Sequence, residues 1–273
     1  MRLLNGRDLA GYIKERQGAQ VRALRQAHGI NPKLAIVLTI DNPVIDTYVR
    51  MKQKYGADIL ISVDVHRVFQ NEVRNRLKEL SADDSVHAII VQLPLEDTTE
   101  TEDVLSLVPA HKDVDGLGSN PEFEPATALA IMWLLAGYNI ELKGKDVVLV
   151  GRGKLVGAPL EKMLLSAGIT PRVLVKETPD VPGEISKADV IITATGVHGL
   201  ITADILKQKA VVVDAGVASE GGKTVGDVAT DVYESRDDLT ITPVKGGVGP
   251  LTVCALFENT IRAAQRVASA KKA

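Results

Sequence analysis

Seven short runs rich in β-branched and aliphatic residues, at 34–40, 59–63, 88–92, 146–150, 172–176, 188–194 and 210–214, alternate with segments of helical period. Such alternation points to an α/β fold with a mainly parallel sheet, because parallel neighbours need a crossover long enough to hold a helix. The intervening segments read as helices at 46–55, 72–80, 127–136 and 155–167. Before them one amphipathic helix carries Leu9, Ile13, Val21 and Leu24, and a last helix over 250–270 carries Leu251, Leu256 and Ile261. Thr127 is the expected cap of the 127–136 helix. Residues 116–125 hold Gly, Ser, Asn and two prolines and break the pattern. A chain of 273 residues fits two domains. The expected division is 1–120, joined by the terminal helix 250–273, and 121–249 as a Rossmann-like dinucleotide-binding domain.

Composition narrows the function classes. Lys plus Arg is 32 and Asp plus Glu is 35, a formal net charge of −3, without the basic footprint of a nucleic-acid binder. Only nine residues are aromatic (1 Trp, 5 Tyr, 3 Phe), too few for a stacking platform. The single cysteine, Cys254, excludes an internal disulfide, and five histidines without ligand spacing suggest no metal site. No window approaches the roughly 20 apolar residues of a membrane span, and the N-terminal residues lack a signal-type apolar core. The expectation is a cytoplasmic enzyme with no nucleic-acid or membrane partner.

Chemistry concentrates at the ends of strands. Gly151-Arg152-Gly153-Lys154-Leu155-Val156-Gly157 follows one strand directly and opens a helix, the setting of a dinucleotide turn. Gly151 suits the tight turn and Gly153 a close backbone approach; the G-x-G-x-x-x-G spacing is one residue longer than the usual fingerprint. The next strand ends at Lys176-Glu177, where a carboxylate would hold a ribose 2′-hydroxyl and a cation a 2′-phosphate. Lys176, with Arg152 inside the turn, favours NADP over NAD and leaves NAD possible.

In the first half, Tyr48 and Lys52 are four residues apart and share a helix face. Gln92 ends a strand where ligands of open α/β sheets gather, and Asp115 lies in Lys112-Asp-Val-Asp-Gly116 just before the domain boundary. Together these four side chains suit binding and protonation of a polar heterocycle, with a desolvated lysine as acid or base near neutral pH. Residues 242–250, Thr-Pro-Val-Lys-Gly-Gly-Val-Gly-Pro, form the densest glycine loop, whose backbone is expected to approach a ligand closely.

These segments, in this order, resemble the bifunctional methylenetetrahydrofolate dehydrogenase and methenyltetrahydrofolate cyclohydrolase family. The resemblance rests on Thr47-Tyr48-Val49-Arg50 with Lys52, Gln92-Leu93-Pro94-Leu95, Asp113-Val114-Asp115-Gly116, Gly151-Arg152 with Val156-Gly157 and Pro159, Gly226-Asp227-Val228, and Gly246-Gly247-Val248-Gly249-Pro250. It spans nearly the whole chain.

The resemblance implies a folate domain and an NADP domain facing each other across a cleft, in a homodimer acting on one-carbon derivatives of tetrahydrofolate. Lys52 would be the catalytic lysine of hydrolysis and Gln92 its hydrogen-bonding partner. Tyr48 would stack on the folate, and Asp115 would bind the pterin. Gly246, Gly247 and Pro250 would line the substrate. Gly151, Arg152, Gly153, Val156, Gly157, Lys176, Thr195 and Gly196 would hold the cofactor. The sequence departs from the family at Gly153 and Ile45, each where Ser is usual, at Lys245 where Pro is usual, and in a shorter connector between Asp115 and Pro125. An enzyme with one of the two activities, and a non-catalytic dinucleotide- or folate-binding protein, are the alternatives.

Overall fold

The computed structural model describes residues 1–220 and 223–270. In chain order the elements are β1 (Arg2–Leu3), α1 (Gly6–His28), β2 (Lys33–Leu38), α2 (Pro43–Asp58), β3 (Ser62–Arg67), α3 (Val73–Ala82), β4 (Ala88–Val91), α4 (Thr101–Ser106), α5 (Ala126–Gly137), β5 (Val147–Val150), α6 (Gly157–Ser166), β6 (Arg172–Leu174), α7 (Val181–Ile185), β7 (Val190–Thr193), β8 (Val211–Asp214), β9 (Ala218–Glu220), β10 (Lys223–Val225), α8 (Thr230–Ser235), β11 (Thr240–Ile241) and α9 (Val248–Ala270). They divide into two compact units, one of Gly11–Ala126 with the chain from Val253 on, the other of Met1–Ala10 with Thr127–Thr252. No described helix is long and apolar enough to cross a membrane.

The 11–126 unit is built on the parallel sheet β3-β2-β4. Ile89 N donates to Lys112 O at 2.8 Å, so the Lys112-Asp113 segment lies alongside β4. Ala35, Val37, Ile89 and Val91 face Val73, Leu77 and Val104 in the core on one side of this sheet. The later part of α9 completes the unit: Phe257 is fully buried and stacks on Tyr55 at 5.0 Å between ring centroids. Gln17 Nε2 donates to Cys254 O at 2.9 Å, and Tyr55 Oη donates to Gln17 Oε1 at 2.7 Å.

The expected strand at 59–63 is displaced to Ser62–Arg67. The apolar Ile59-Leu60-Ile61 run is the exit from α2, where Leu60 takes φ +66° and Ile61 N returns to Gly56 O at 2.8 Å. The strand that follows, Ser-Val-Asp-Val-His-Arg, is a half-exposed edge and carries little apolar signal. Helix α5 begins at Ala126, so Thr127 sits inside its first turn and is not the cap.

The other unit carries a six-stranded parallel sheet in the order β1-β11-β8-β7-β5-β6. Strand β5 has β6 on one side and β7 on the other, so the direction of winding reverses there, and the crevice at such a reversal is where open α/β sheets bind ligands. Its core includes Val148, Val150, Ile191, Val212 and Ile241 against Leu206, Val228 and Val232. Strand β1 is an edge of this sheet, with Arg2 N bonded to Leu239 O and Leu4 N to Ile241 O, each at 2.8 Å. Residues 1–10 therefore group with the 127–252 unit and not with a 1–120 domain. Of the expected 250–273 segment, residues 271–273 lie outside the described residues, and its helix starts earlier, at Val248.

Candidate active site

Helix α2 positions two of the expected site residues. Asn42 caps it by accepting from Val44 N at 2.8 Å, and Pro43 at the first helical position is preorganised for the turn. Arg67, ending β3, binds Asp46 in the first turn at 2.6 Å and ties the helix start to the sheet. Tyr48 and Lys52 then share a face, with the Tyr48 ring partly exposed. Ile45, three residues before Tyr48 and seven before Lys52, lies on the same side of the helix and is buried at 6% exposure, so an apolar side chain stands there where the family usually has Ser.

Lys52 Nζ donates to Gln92 Oε1 at 2.7 Å. Gln92 follows β4 directly; its backbone N is bonded to Val37 O, and its Nε2 donates to Leu93 O at 3.1 Å. With the amide nitrogen engaged by that carbonyl, the oxygen is the end presented to the lysine. Burial pushes the Lys52 amine below its ordinary proton affinity, and the charge of Asp115 partly opposes this. Asp115 is pushed upward by burial and drawn back by Lys52. The structure thus brings Lys52, Gln92 and Asp115 into one electrostatic cluster.

The Asp115 segment is held by residues without an assigned role in the sequence reading. Lys112 Nζ caps the end of α3, donating to Leu80 O, Ser81 O and Asp83 O at 3.2, 2.9 and 2.8 Å. The Asp113 carboxylate accepts from Gly116 N and Gly118 N, closing the turn around Asp115. Gly116 has φ +69°, and a Cβ there would lie 2.6 Å from Phe123 O, so the turn requires glycine. Asn259, fully buried on α9, donates to Val114 O at 2.9 Å and Glu124 O at 3.0 Å. Its only sequence signal is an amide within an apolar helical run.

In the other unit, Gly151 N bonds to Leu174 O, and Gly151 takes φ +94° with Ala194 O 2.8 Å from where a Cβ would sit. Gly157 opens α6, and a Cβ on it would collide with Gly151 O. Both glycines are therefore fixed by close approach of the β5 loop, the start of α6 and the loop after β7. Gly153 has nothing within 4 Å of a Cβ position, so no protein atom requires glycine there. Val156 precedes α6 with no side-chain cap, which leaves a helix start suited to an anion. The helix begins at Gly157, two residues after the expected 155, because the glycine turn uses those residues. Lys176 is exposed just beyond β6, which ends at Leu174 and not at 176. Arg152 is paired with Glu161 at 2.6 Å. This cradle of turn, helix start and strand-end cations fits a pyrophosphate-linked dinucleotide.

Thr195 and Gly196 sit on the adjoining loop, beside Gly151, over a pair of buried carboxylates. Asp227 accepts from Thr193 Oγ1 at 2.5 Å and Thr195 N at 2.7 Å. Asp214 accepts from Gly216 N, Asp227 N and Val228 N, and burial raises its proton affinity. Each carboxylate occupies the space a Cβ would need on a glycine of the facing segment, Asp214 on Gly226 and Asp227 on Gly216. Gly-Asp-Val at 226–228 is thus the support of the 195–196 loop.

Gly246, with φ +94°, and Gly247 form a bend against the N-terminal segment: Arg7 N donates to Gly246 O at 3.2 Å, and a Cβ on Gly6 would collide with Gly247 O. Pro250 lies within the first turn of α9, while Val244 and Lys245 are exposed. These residues belong to the 127–252 unit, whereas Tyr48, Lys52, Gln92 and Asp115 belong to the other. Among the described residues no three His, Cys, Asp or Glu side chains group as a metal site.

Comparison with known proteins gives two family matches. Residues 4–115 match the catalytic domain of tetrahydrofolate dehydrogenase/cyclohydrolase, and residues 125–268 match its NAD(P)-binding domain. The bifunctional protein FolD of Campylobacter jejuni is 39% identical over 280 residues, covering 97% of this chain and 99% of that protein. The crystal structure of the bifunctional dehydrogenase/cyclohydrolase FolD from Campylobacter jejuni superposes with a TM-score of 0.91 over 98% of this chain and 99% of the other, at 39% identity. The Trypanosoma brucei methylenetetrahydrofolate dehydrogenase-cyclohydrolase, solved with NADP and an inhibitor, gives a TM-score of 0.89 at 30% identity over 97% of each chain.

Proposed function

Because the chain belongs to the tetrahydrofolate dehydrogenase/cyclohydrolase family, we infer that it oxidises 5,10-methylenetetrahydrofolate to the 5,10-methenyl form with NADP and hydrolyses that product to 10-formyltetrahydrofolate. The observation that carries the hydrolytic half is the desolvated Lys52 bonded to Gln92 at 2.7 Å with Asp115 acting on it.

NADP, when bound, supplies the acceptor for the hydride. Gly151, Gly153, Val156, Gly157, Thr195 and Gly196 hold it through backbone, with Arg152 and Lys176 as cations for its 2′-phosphate. Hydride transfer needs no protein acid or base, only the methylene carbon held in place. Tyr48 stacks on the folate, Asp115 binds the pterin, and the backbone at Gly246, Gly247 and Pro250 lines the substrate.

In the second step, a water oxygen bonds to the methenyl carbon as its proton passes to Lys52 Nζ. The lysine is fit for this because burial lowers the cost of its neutral form relative to the ammonium. Lys52 then returns a proton to N5 as the C–N5 bond breaks and the hydroxyl proton leaves to form the formyl group. One proton is released overall. Gln92 holds the ammonium form between these transfers. The folate unit comprises 1–120 with the terminal helix, amended by the grouping of residues 1–10 with the NADP unit. The enzyme works as a cytoplasmic homodimer; for both properties the support is the family resemblance.

Two absorbance assays test the reading, one following NADPH formation from 5,10-methylenetetrahydrofolate and one following loss of the methenyl chromophore. Lys52→Met is expected to lose hydrolysis by at least about 100-fold, the scale of general acid-base catalysis, and to keep reduction of NADP. Full methenyl hydrolysis in that variant overturns the lysine assignment. Reduction of neither NADP nor NAD by the wild-type protein overturns the dehydrogenase.

A further inference from the structure

Arg152 leaves β5 inside the glycine turn with its side chain 60% exposed, and Glu161, in the second turn of α6, is only 18% exposed. Nε of the guanidinium donates to Glu161 Oε2 at 2.6 Å and Nη2 to Oε1 at 3.3 Å. One edge of the arginine is therefore committed to a carboxylate that the fold holds close to the start of α6. No acidic residue lies in the first turn of that helix, so Glu161, one turn in, is the negative charge nearest the anion-binding end on α6 itself.

We infer that Glu161 is a specificity-determining residue that weakens this enzyme's preference for the 2′-phosphate of NADP over the 2′-hydroxyl of NAD. This rests on the reading of the glycine turn as the dinucleotide site. A guanidinium has five donors and two bidentate edges, so the Nη1–Nη2 edge remains for a phosphate while Nε–Nη2 holds the glutamate. The phosphate then meets an arginine whose charge is already countered, with a fixed carboxylate one guanidinium away. A neutral 2′-hydroxyl feels neither effect strongly. Glu161 thus costs NADP binding energy that NAD does not lose. The exposed Lys176-Glu177 pair after β6 repeats the balance, with one group for each cofactor.

Glu161→Gln tests this, because glutamine keeps an acceptor for Arg152 and deletes only the charge. Dissociation constants for NADP and NAD are measured by calorimetry on the full chain, with kcat/KM for both cofactors in parallel. The expected result is an NADP to NAD affinity ratio raised about 3- to 6-fold, shrinking as salt is added, as screened charges at this range predict. A ratio that is unchanged or falls shows that Glu161 serves to position Arg152 or does nothing, and overturns the inference while leaving the dehydrogenase reading intact. Failure of the wild-type protein to bind either dinucleotide overturns both.

Discussion

Replacing Gln92 with leucine isolates what the amide does for Lys52. The 2.7 Å bond has a charged donor when Lys52 is protonated and a neutral one when it is not. A hydrogen bond to a charged group contributes about 1.5–3 kcal/mol and a neutral one about 0.5–1.5 kcal/mol. Gln92 therefore favours the ammonium by about 1–1.5 kcal/mol, and at about 1.4 kcal/mol per pH unit its loss moves the Lys52 midpoint down by about one pH unit. The shift adds to the lowering already caused by burial. In the kcat/KM profile for methenyl hydrolysis the limb that reports Lys52 moves about one unit toward acid, while NADPH formation keeps its profile. Stability follows the same sign. A lysine whose folded midpoint lies below its unfolded one leaves the unfolded chain with more bound protons in between, so stability rises with pH across that window. The pH-dependent part of the variant's loss of stability is expected to be about 1.4 kcal/mol below its own folded midpoint and to fade as pH rises through the wild-type folded midpoint. A limb that stays in place, or moves toward alkali, refutes the claim that Gln92 holds the ammonium form.

Asp115→Asn removes the charge that opposes the desolvation of Lys52; the hydrolysis limb should again move to lower pH, now with a raised KM for folate, and an unchanged KM would argue against pterin binding. Gly157→Ala places a Cβ against Gly151 O; calorimetry should show dinucleotide affinity lost by at least 10-fold, and thermal denaturation a loss of about 1–3 kcal/mol. Asn259→Leu leaves Val114 O and Glu124 O without their buried donor, which should cost about 2–4 kcal/mol in urea unfolding and slow hydrolysis more than hydride transfer.

Residues whose chemistry is set by strand ends and helix faces were legible from the sequence. The spacing of Tyr48 and Lys52 implied a shared helix face, and the alternation of apolar runs located β2, β4, β5, β7 and β8 closely. Legibility failed where an element lacks its own apolar signal. Strands β1 and β11 are two residues each and exist through pairing with distant chain. Strand β3 hid behind the more apolar exit from α2. The partners of some supports were also silent: Lys112, Asn259 and Asp227 bond to groups distant along the chain, and sequence spacing carries no record of such partners, whereas Asp113 closes its own local turn.

The placement of β1 at one end of the chain and of α9 at the other bears on synthesis by the ribosome. Residues 11–126 emerge early, yet the buried Phe257 and Asn259 that complete their core appear only after the whole 127–252 segment. Residues 2–3 wait for β11, more than 230 positions later, before their hydrogen bonds can form. Neither unit can reach its final packing as a nascent fragment, so the usual order of N-terminal domain first gives way to late, mutual completion. Truncation from either end should therefore damage the unit that is remote in sequence as well as the one that is near, and a chain stalled before residue 250 should present an open apolar surface to chaperones.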